Sequence, residues 1–195
     1  MSVDFHACFP LRKTRVHEVC GPGATGFAAT ACARVSGNLL WIRENWRGET
    51  PSPVGLCRFF DPDRMLVAQA QDQTDALAVA EETLRDGSVP LVIIELNQPL
   101  GLTAGRRLQL AAKAGRSTGL CLISENMGSN AAETRWHAAP LYDPVVQDST
   151  LMRWKLIKNK SGTLGAWDVR WDHPARRLDV VSPPALRPGS AGPPG

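Results

Sequence analysis

Between Val16 and Ile123, short apolar runs alternate with helical stretches of about twelve residues. The runs are Val16–Cys20, Leu39–Ile42, Met65–Ala68, Leu91–Leu96 and Thr118–Ile123. Leu91–Leu96 is apolar on both faces until Glu95, as a strand covered above and below must be. The stretch Gln69 to Gly87 predicts a helix, with Asp72 as cap, apolar residues at Ala76, Leu77, Ala80 and Leu84, and Gly87 as the stop. A second helix is expected from Thr103 through Ala114, ended by Gly115. Leu108, Ala111 and Ala112 are apolar there, and Arg106, Arg107 and Lys113 are solvated. Strands joined through helices lie parallel, because each connection must cross the sheet. The alternation therefore demands βαβ units and an α/β sheet covered on both faces.

From Thr134 the pattern changes. Trp136–Ala139, Leu151–Ile157, Ala166–Trp171 and Leu178–Val181 read as strands separated by turns, with a turn at Asn159–Thr163. An antiparallel extension at one sheet edge is the simplest arrangement. Arg43–Asp63, with Pro51, Pro53 and Pro62, reads as a surface connection holding a short helix around Val54–Phe60. The chain divides into an irregular segment 1–15, a core domain 16–181, and a Pro/Gly-rich tail 182–195 expected to be disordered. One domain suits 195 residues.

The stretch Val16-His17-Glu18-Val19-Cys20-Gly21-Pro22-Gly23-Ala24-Thr25-Gly26-Phe27-Ala28 reads as strand, tight turn and helix start. Gly21 and Gly26 keep the glycine spacing of a phosphate-cradling loop, G-x-x-x-x-G-K-[ST]. Phe27 and Ala28 stand where that loop needs a lysine for the β/γ-phosphates and a hydroxyl for Mg²⁺. A phenyl ring and a methyl group supply neither. The backbone donors of the nest are the part of the site that such a loop retains. The plainer reading is a Gly-rich turn before a helix.

In an open α/β sheet, ligands bind beyond the carboxyl ends of the strands. Glu44 and Asn45 follow the second strand there, and Glu95 takes the Walker-B-like position after the central strand. A strand-end carboxylate paired with a local Arg is the plain alternative for Glu95, and a solvated loop residue for Glu44. No catalytic residue, cofactor or metal site is assigned; the four histidines lack ligand spacing, and His17 reads as a core or edge residue. Of the six tryptophans, five are expected to pack the sheet, while Trp46 in a loop is the candidate for an exposed contact. The basic run Arg12-Lys13-Thr14-Arg15 reads as a solvated entry segment. Five scattered cysteines suggest reduced, mostly buried thiols. With no secretory leader or long apolar run evident, a cytoplasmic location is expected. A net charge of +3 makes any direct DNA contact weak at physiological salt.

The segments HEVCGPGATGF, LLWIRE, FFDPDRMLVAQAQDQTDALAVAEETLRDG, PLVIIEL, GRRLQLAAKAG, AAETRW and RWKLIKNKSGTLGAWDVRWD, in that order, resemble the ImuA family of RecA-like proteins. The resemblance spans Val16 to Val181. It implies a RecA-like P-loop core and a part in damage-inducible mutagenesis. ImuA proteins are encoded with ImuB, a homologue of Y-family polymerases, and with an error-prone replicative-type DNA polymerase. The implied activity is a non-catalytic adaptor that binds ImuB directly and the polymerase indirectly, with RecA as a further candidate partner. Lys155–Lys160 resembles the RecA segment whose lysines reach a neighbouring protomer's ATP site, which would turn Lys158 and Lys160 toward a partner. Two alternatives stay open: a cell-division inhibitor similar to SulA, and an ATPase with an atypical P-loop.

Overall fold

The structure, a computed structural model, describes residues 4–46, 48–144, 146 and 149–181. The expected tail 182–195 lies outside these residues. The strands are β1 (Val16–Cys20), β2 (Leu39–Glu44), β3 (Met65–Ala70), β4 (Leu91–Glu95), β5 (Thr118–Leu122), β6 (Thr134–Pro140), β7 (Met152–Asn159), β8 (Gly165–Asp172) and β9 (Arg177–Val181). The helices are α1 (Ala24–Ala33), α2 (Pro53–Leu56), α3 (Gln73–Asp86) and α4 (Leu102–Gly115).

All nine of these strands join one sheet in the order β3-β2-β4-β5-β1-β6-β7-β8-β9. The first six positions are parallel, because β6 pairs parallel with β1; the antiparallel extension begins one strand later than the turn pattern predicts, at β7. This is a RecA-like fold.

The two sheet faces carry different cores. Leu39, Trp41, Leu91, Ile93, Leu120 and Val19 face α1, α2 and the N-terminal segment, together with Phe27, Trp136 and Trp154. Leu40, Ile42, Val92, Ile94 and Cys121 face α3 and α4, meeting Ala76, Ala80, Leu84, Leu108 and Ala112. Period-two alternation along β2 and β4 produces this division.

Asp72 caps α3 as expected, accepting from the Asp75 amide (2.9 Å), and Gly87 closes it at φ +78°. Gly115 has a different role from the one its sequence position suggests. It is the last residue of α4, and Arg116 makes the left-handed turn at φ 56°. A Cβ on Gly115 would lie 2.1 Å from the Leu84 carbonyl oxygen, so its absence lets the ends of α3 and α4 touch.

The segment before β1 is more than an irregular lead. Phe5 opens a 3-10 turn (Phe5–Ala7), and both Phe5 and Phe9 are buried in the aromatic core. Arg12 and Arg15 both pair with Glu133, at 3.0 and 3.5 Å, so the basic run is anchored to the protein rather than fully solvated.

Candidate functional site

The Gly-rich turn sits at the carboxyl end of β1, where the alternation places it. Helix α1 starts at Ala24, three residues earlier than the run from Phe27 suggests, so Gly26 lies inside the helix. The turn is also stitched to its neighbour. The Gly23 amide donates to the Ala138 carbonyl at 2.8 Å, spending one donor of the expected nest. Gly21 adopts φ +91°, and a Cβ there would lie 2.5 Å from the same carbonyl.

Phe27 has no solvent exposure. Its ring centroid is 4.4 Å from that of Trp154, 5.4 Å from Trp136 and 5.6 Å from Phe9. The position where a P-loop holds its lysine is thus the centre of an aromatic cluster, turned into the core. Ala28 beside it is fully buried as well. Trp136 Nε1 finds a partner in Thr134 Oγ1 at 3.0 Å.

A cavity of about 520 Å³ opens beside the first turn of α1, bounded by Thr25, Trp41, Arg43, Trp46, Glu49 and Glu95 among others. Trp41 and Arg43 share the α1 side of β2, and Glu95 ends β4 alongside. Trp41 Nε1 donates to Glu95 Oε1 at 2.7 Å. The Arg43 Nη2 is 3.6 Å from Glu95 Oε2, an ion pair longer than a good hydrogen bond. Arg43 is only 3% exposed, and its Nε and Nη1 have no hydrogen-bond partner among the described residues. Glu95 is therefore a buried strand-end carboxylate engaged by an indole and a guanidinium.

Glu44 is not a solvated loop residue. It ends β2, is buried on the opposite face from Arg43, and accepts from Asn97 Nδ2 (2.7 Å) and from Trp46 Nε1. Alternation along β2 turns it inward, where amide and indole donors satisfy it. Trp46 keeps 63% of its surface exposed although its indole N–H is held.

Lys158 and Lys160 lie elsewhere. Thr134 opposes Asn159 across β6 and β7, so both lysines stand at the amino end of the parallel strands, away from the Gly-rich turn. Lys158 Nζ donates to the Ala132 carbonyl and Lys160 Nζ to the Ala131 carbonyl, the latter at 2.8 Å. Burial, followed by the charges of Lys160 and Arg135, lowers the Lys158 pKa. Lys160 remains exposed.

Beneath them His17 is wholly buried on β1. Its Nδ1 is 2.7 Å from Thr134 Oγ1 and its Nε2 is 2.8 Å from the Arg12 carbonyl. A neutral ring satisfies both, with Nε2–H donating to the carbonyl and Nδ1 accepting from the hydroxyl. Desolvation lowers its pKa to about 4.

No protein-family model matches the chain. Protein ImuA of Caulobacter vibrioides strain NA1000 / CB15N is 28% identical over 228 aligned positions, covering 98% of this chain and 91% of the relative. Protein ImuA of strain ATCC 19089 / CIP 103742 matches to the same extent. Over nearly its whole length the chain is thus similar to curated ImuA proteins. Among solved structures, the RadB recombinase superposes with a TM-score of 0.63 at 14% identity, covering 87% of this chain and 92% of that one, a likeness of fold. In this chain no three His, Cys, Asp or Glu side chains among the described residues come together to hold a metal ion. Among those residues, too, no helix is long and apolar enough to cross a membrane.

Sequence reasoning overlooked Arg43. The signal was present: in LLWIRE, Arg43 is two residues from Trp41 and so must share its inward face. It also overlooked the role of Phe9, which no periodicity marks because it precedes the first strand.

Proposed function

We propose that this ImuA-like chain is a non-catalytic RecA-fold adaptor of a damage-inducible, mutagenic translesion-synthesis complex, acting by binding ImuB and RecA. The observation that carries the reading is Phe27 at the centre of the aromatic core. A loop whose lysine position is spent on packing has no cation for a γ-phosphate. The Gly23 amide, bonded to Ala138, is likewise withdrawn from phosphate binding. What remains for function is association, and the exposed Lys160 and Trp46 offer contact points at opposite ends of the sheet.

The test is co-purification of the full chain with ImuB, repeated with a chain ending at Ser182. ATPase activity is assayed on the same material with and without DNA. Retention of ImuB and hydrolysis at background support the reading. ATP turnover that Glu95→Ala abolishes, or failure to retain ImuB with either chain, overturns it. The paired variant Lys158→Ala/Lys160→Ala is expected to weaken RecA capture while leaving ImuB capture intact.

A further inference from the structure

We propose that the groove beside α4 is a docking site for an acidic amphipathic helix of a partner protein. The groove has a volume of about 530 Å³ and is bordered by Leu102, Arg106 and Leu110 of α4, by Asn130 and Ala131, and by Lys160. Leu102, Arg106 and Leu110 are spaced four apart and form one stripe about 12 Å long. Leu102 is 46% and Leu110 68% exposed, whereas Leu108, Ala111 and Ala112 of the same helix are buried. Single exposed leucines are ordinary, but two that rim one groove make a contiguous apolar surface. The groove is also preformed. A Cβ at Gly105 would lie 2.7 Å from the Ala131 Cβ, so its absence lets that turn press against α4. Gln109 Nε2 donates to the Val16 and Ala131 carbonyls at 2.8 and 3.0 Å, and its Oε1 accepts from the Val16 amide at 3.1 Å. A floor fixed in advance spares a ligand the cost of ordering it.

Charge selects the occupant. Arg106 stands between the two leucines and Lys160 borders the same groove; among the described residues no carboxylate pairs with either. Lys160 Nζ rests on the Ala131 carbonyl at 2.8 Å, which holds the ammonium at the groove without neutralising it. Glu133, close by in the chain, is engaged by Arg12 and Arg15. An apolar surface set among uncompensated cations complements a helix with aliphatic residues on one face and carboxylates along its borders. A nucleic-acid strand is a poorer match, because among the described residues no aromatic ring lines the groove to stack a base. The site deepens the reading of Lys160 as a contact residue and rests on that reading for Lys160 alone.

The test titrates a fluorescein-labelled helical peptide, with leucine on one face and glutamate elsewhere, with the full-length protein, followed by anisotropy. A second peptide has lysine for every glutamate, and a third has serine for every leucine. Saturable binding of the acidic leucine peptide alone is expected, weaker at high salt. Leu110→Ser should weaken it by about tenfold or more, the loss of one buried leucine contact. Arg106→Glu should weaken it by about fivefold or more, through charge reversal. Both side chains are exposed, so both variants should fold, with urea midpoints near that of the parent chain. No binding, equal binding of the lysine or serine peptide, binding that neither substitution changes, or displacement by oligo-dT overturns the proposal. Self-association abolished by Leu110→Ser assigns the groove to a second copy and overturns it as well. The peptide is neither ImuB nor RecA, so its failure leaves the adaptor reading standing, and failure to capture ImuB or RecA leaves the groove standing.

Discussion

One sheet carries two unlike cores. On the α3/α4 face the buried residues are aliphatic or small, and the helices close tightly enough that Gly115 touches the Leu84 carbonyl. On the α1 face, Phe5, Phe9, Phe27, Trp41, Trp136, Trp154 and Trp171 are buried together. The aliphatic face does what any covered parallel sheet must do. The aromatic face occupies ground that a P-loop would reserve for a lysine, and it draws in the N-terminal segment to complete itself. With a phenyl ring at that position, close packing fills the volume, because interiors tolerate few voids.

The largest expected effect comes from writing the P-loop letter back. Phe27→Lys places an ammonium among Trp154, Trp136 and Phe9. It should destabilise by about 4 kcal/mol or more, from lost packing and a buried charge, measured by urea unfolding. A stable Phe27→Lys protein that also binds Mg-ATP would break the comparison, since the aromatic face would then be an accessory to a working loop.

Leu84→Ala tests the other face. Leu84 is fully buried in the aliphatic core on that face, and truncation should cost about 3 kcal/mol. The near-ultraviolet circular dichroism of the tryptophans should persist, because none of the buried indoles is on that side. Loss of that signal at native pH would show that the two cores are not separable.

The smallest effect sharpens the contrast by pH. His17, on the aromatic side of β1, is neutral when folded, with its pKa lowered to about 4 by burial. The unfolded chain takes up the proton first, near the ordinary value of about 6.5. Stability is therefore full above about pH 6.5 and falls between there and about pH 4, by on the order of 2–3 kcal/mol. Urea midpoints at pH 7, 5.5 and 4.5 should show the decline, and His17→Gln should flatten it. Identical slopes for both proteins would remove His17 from the account.

Much of the fold is legible in the residues. The apolar runs at Leu39, Leu91 and Thr118 and the capped stretch after Asp72 become β2, β4, β5 and α3 within a residue or two, because burial on both faces and capping leave local marks. Less of the candidate site is legible. Glu95 and Trp46 stand where their neighbours suggest, one at a strand end and one exposed in a turn. Glu44 is buried and Arg43 faces the cavity; both follow from strand alternation carried past the last apolar residue.

From the sequence alone came the alternation of parallel strands and helices, and the absence of an ammonium and a hydroxyl at Phe27 and Ala28, because local composition and period decide both. Only the tertiary structure decided where Phe27 points, which carbonyl takes the Gly23 amide, that Arg12 and Arg15 converge on Glu133, and that Arg43 meets Glu95. Those contacts join residues far apart in the chain, and their partners are chosen by how the sheet is ordered and twisted rather than by any neighbour in the sequence.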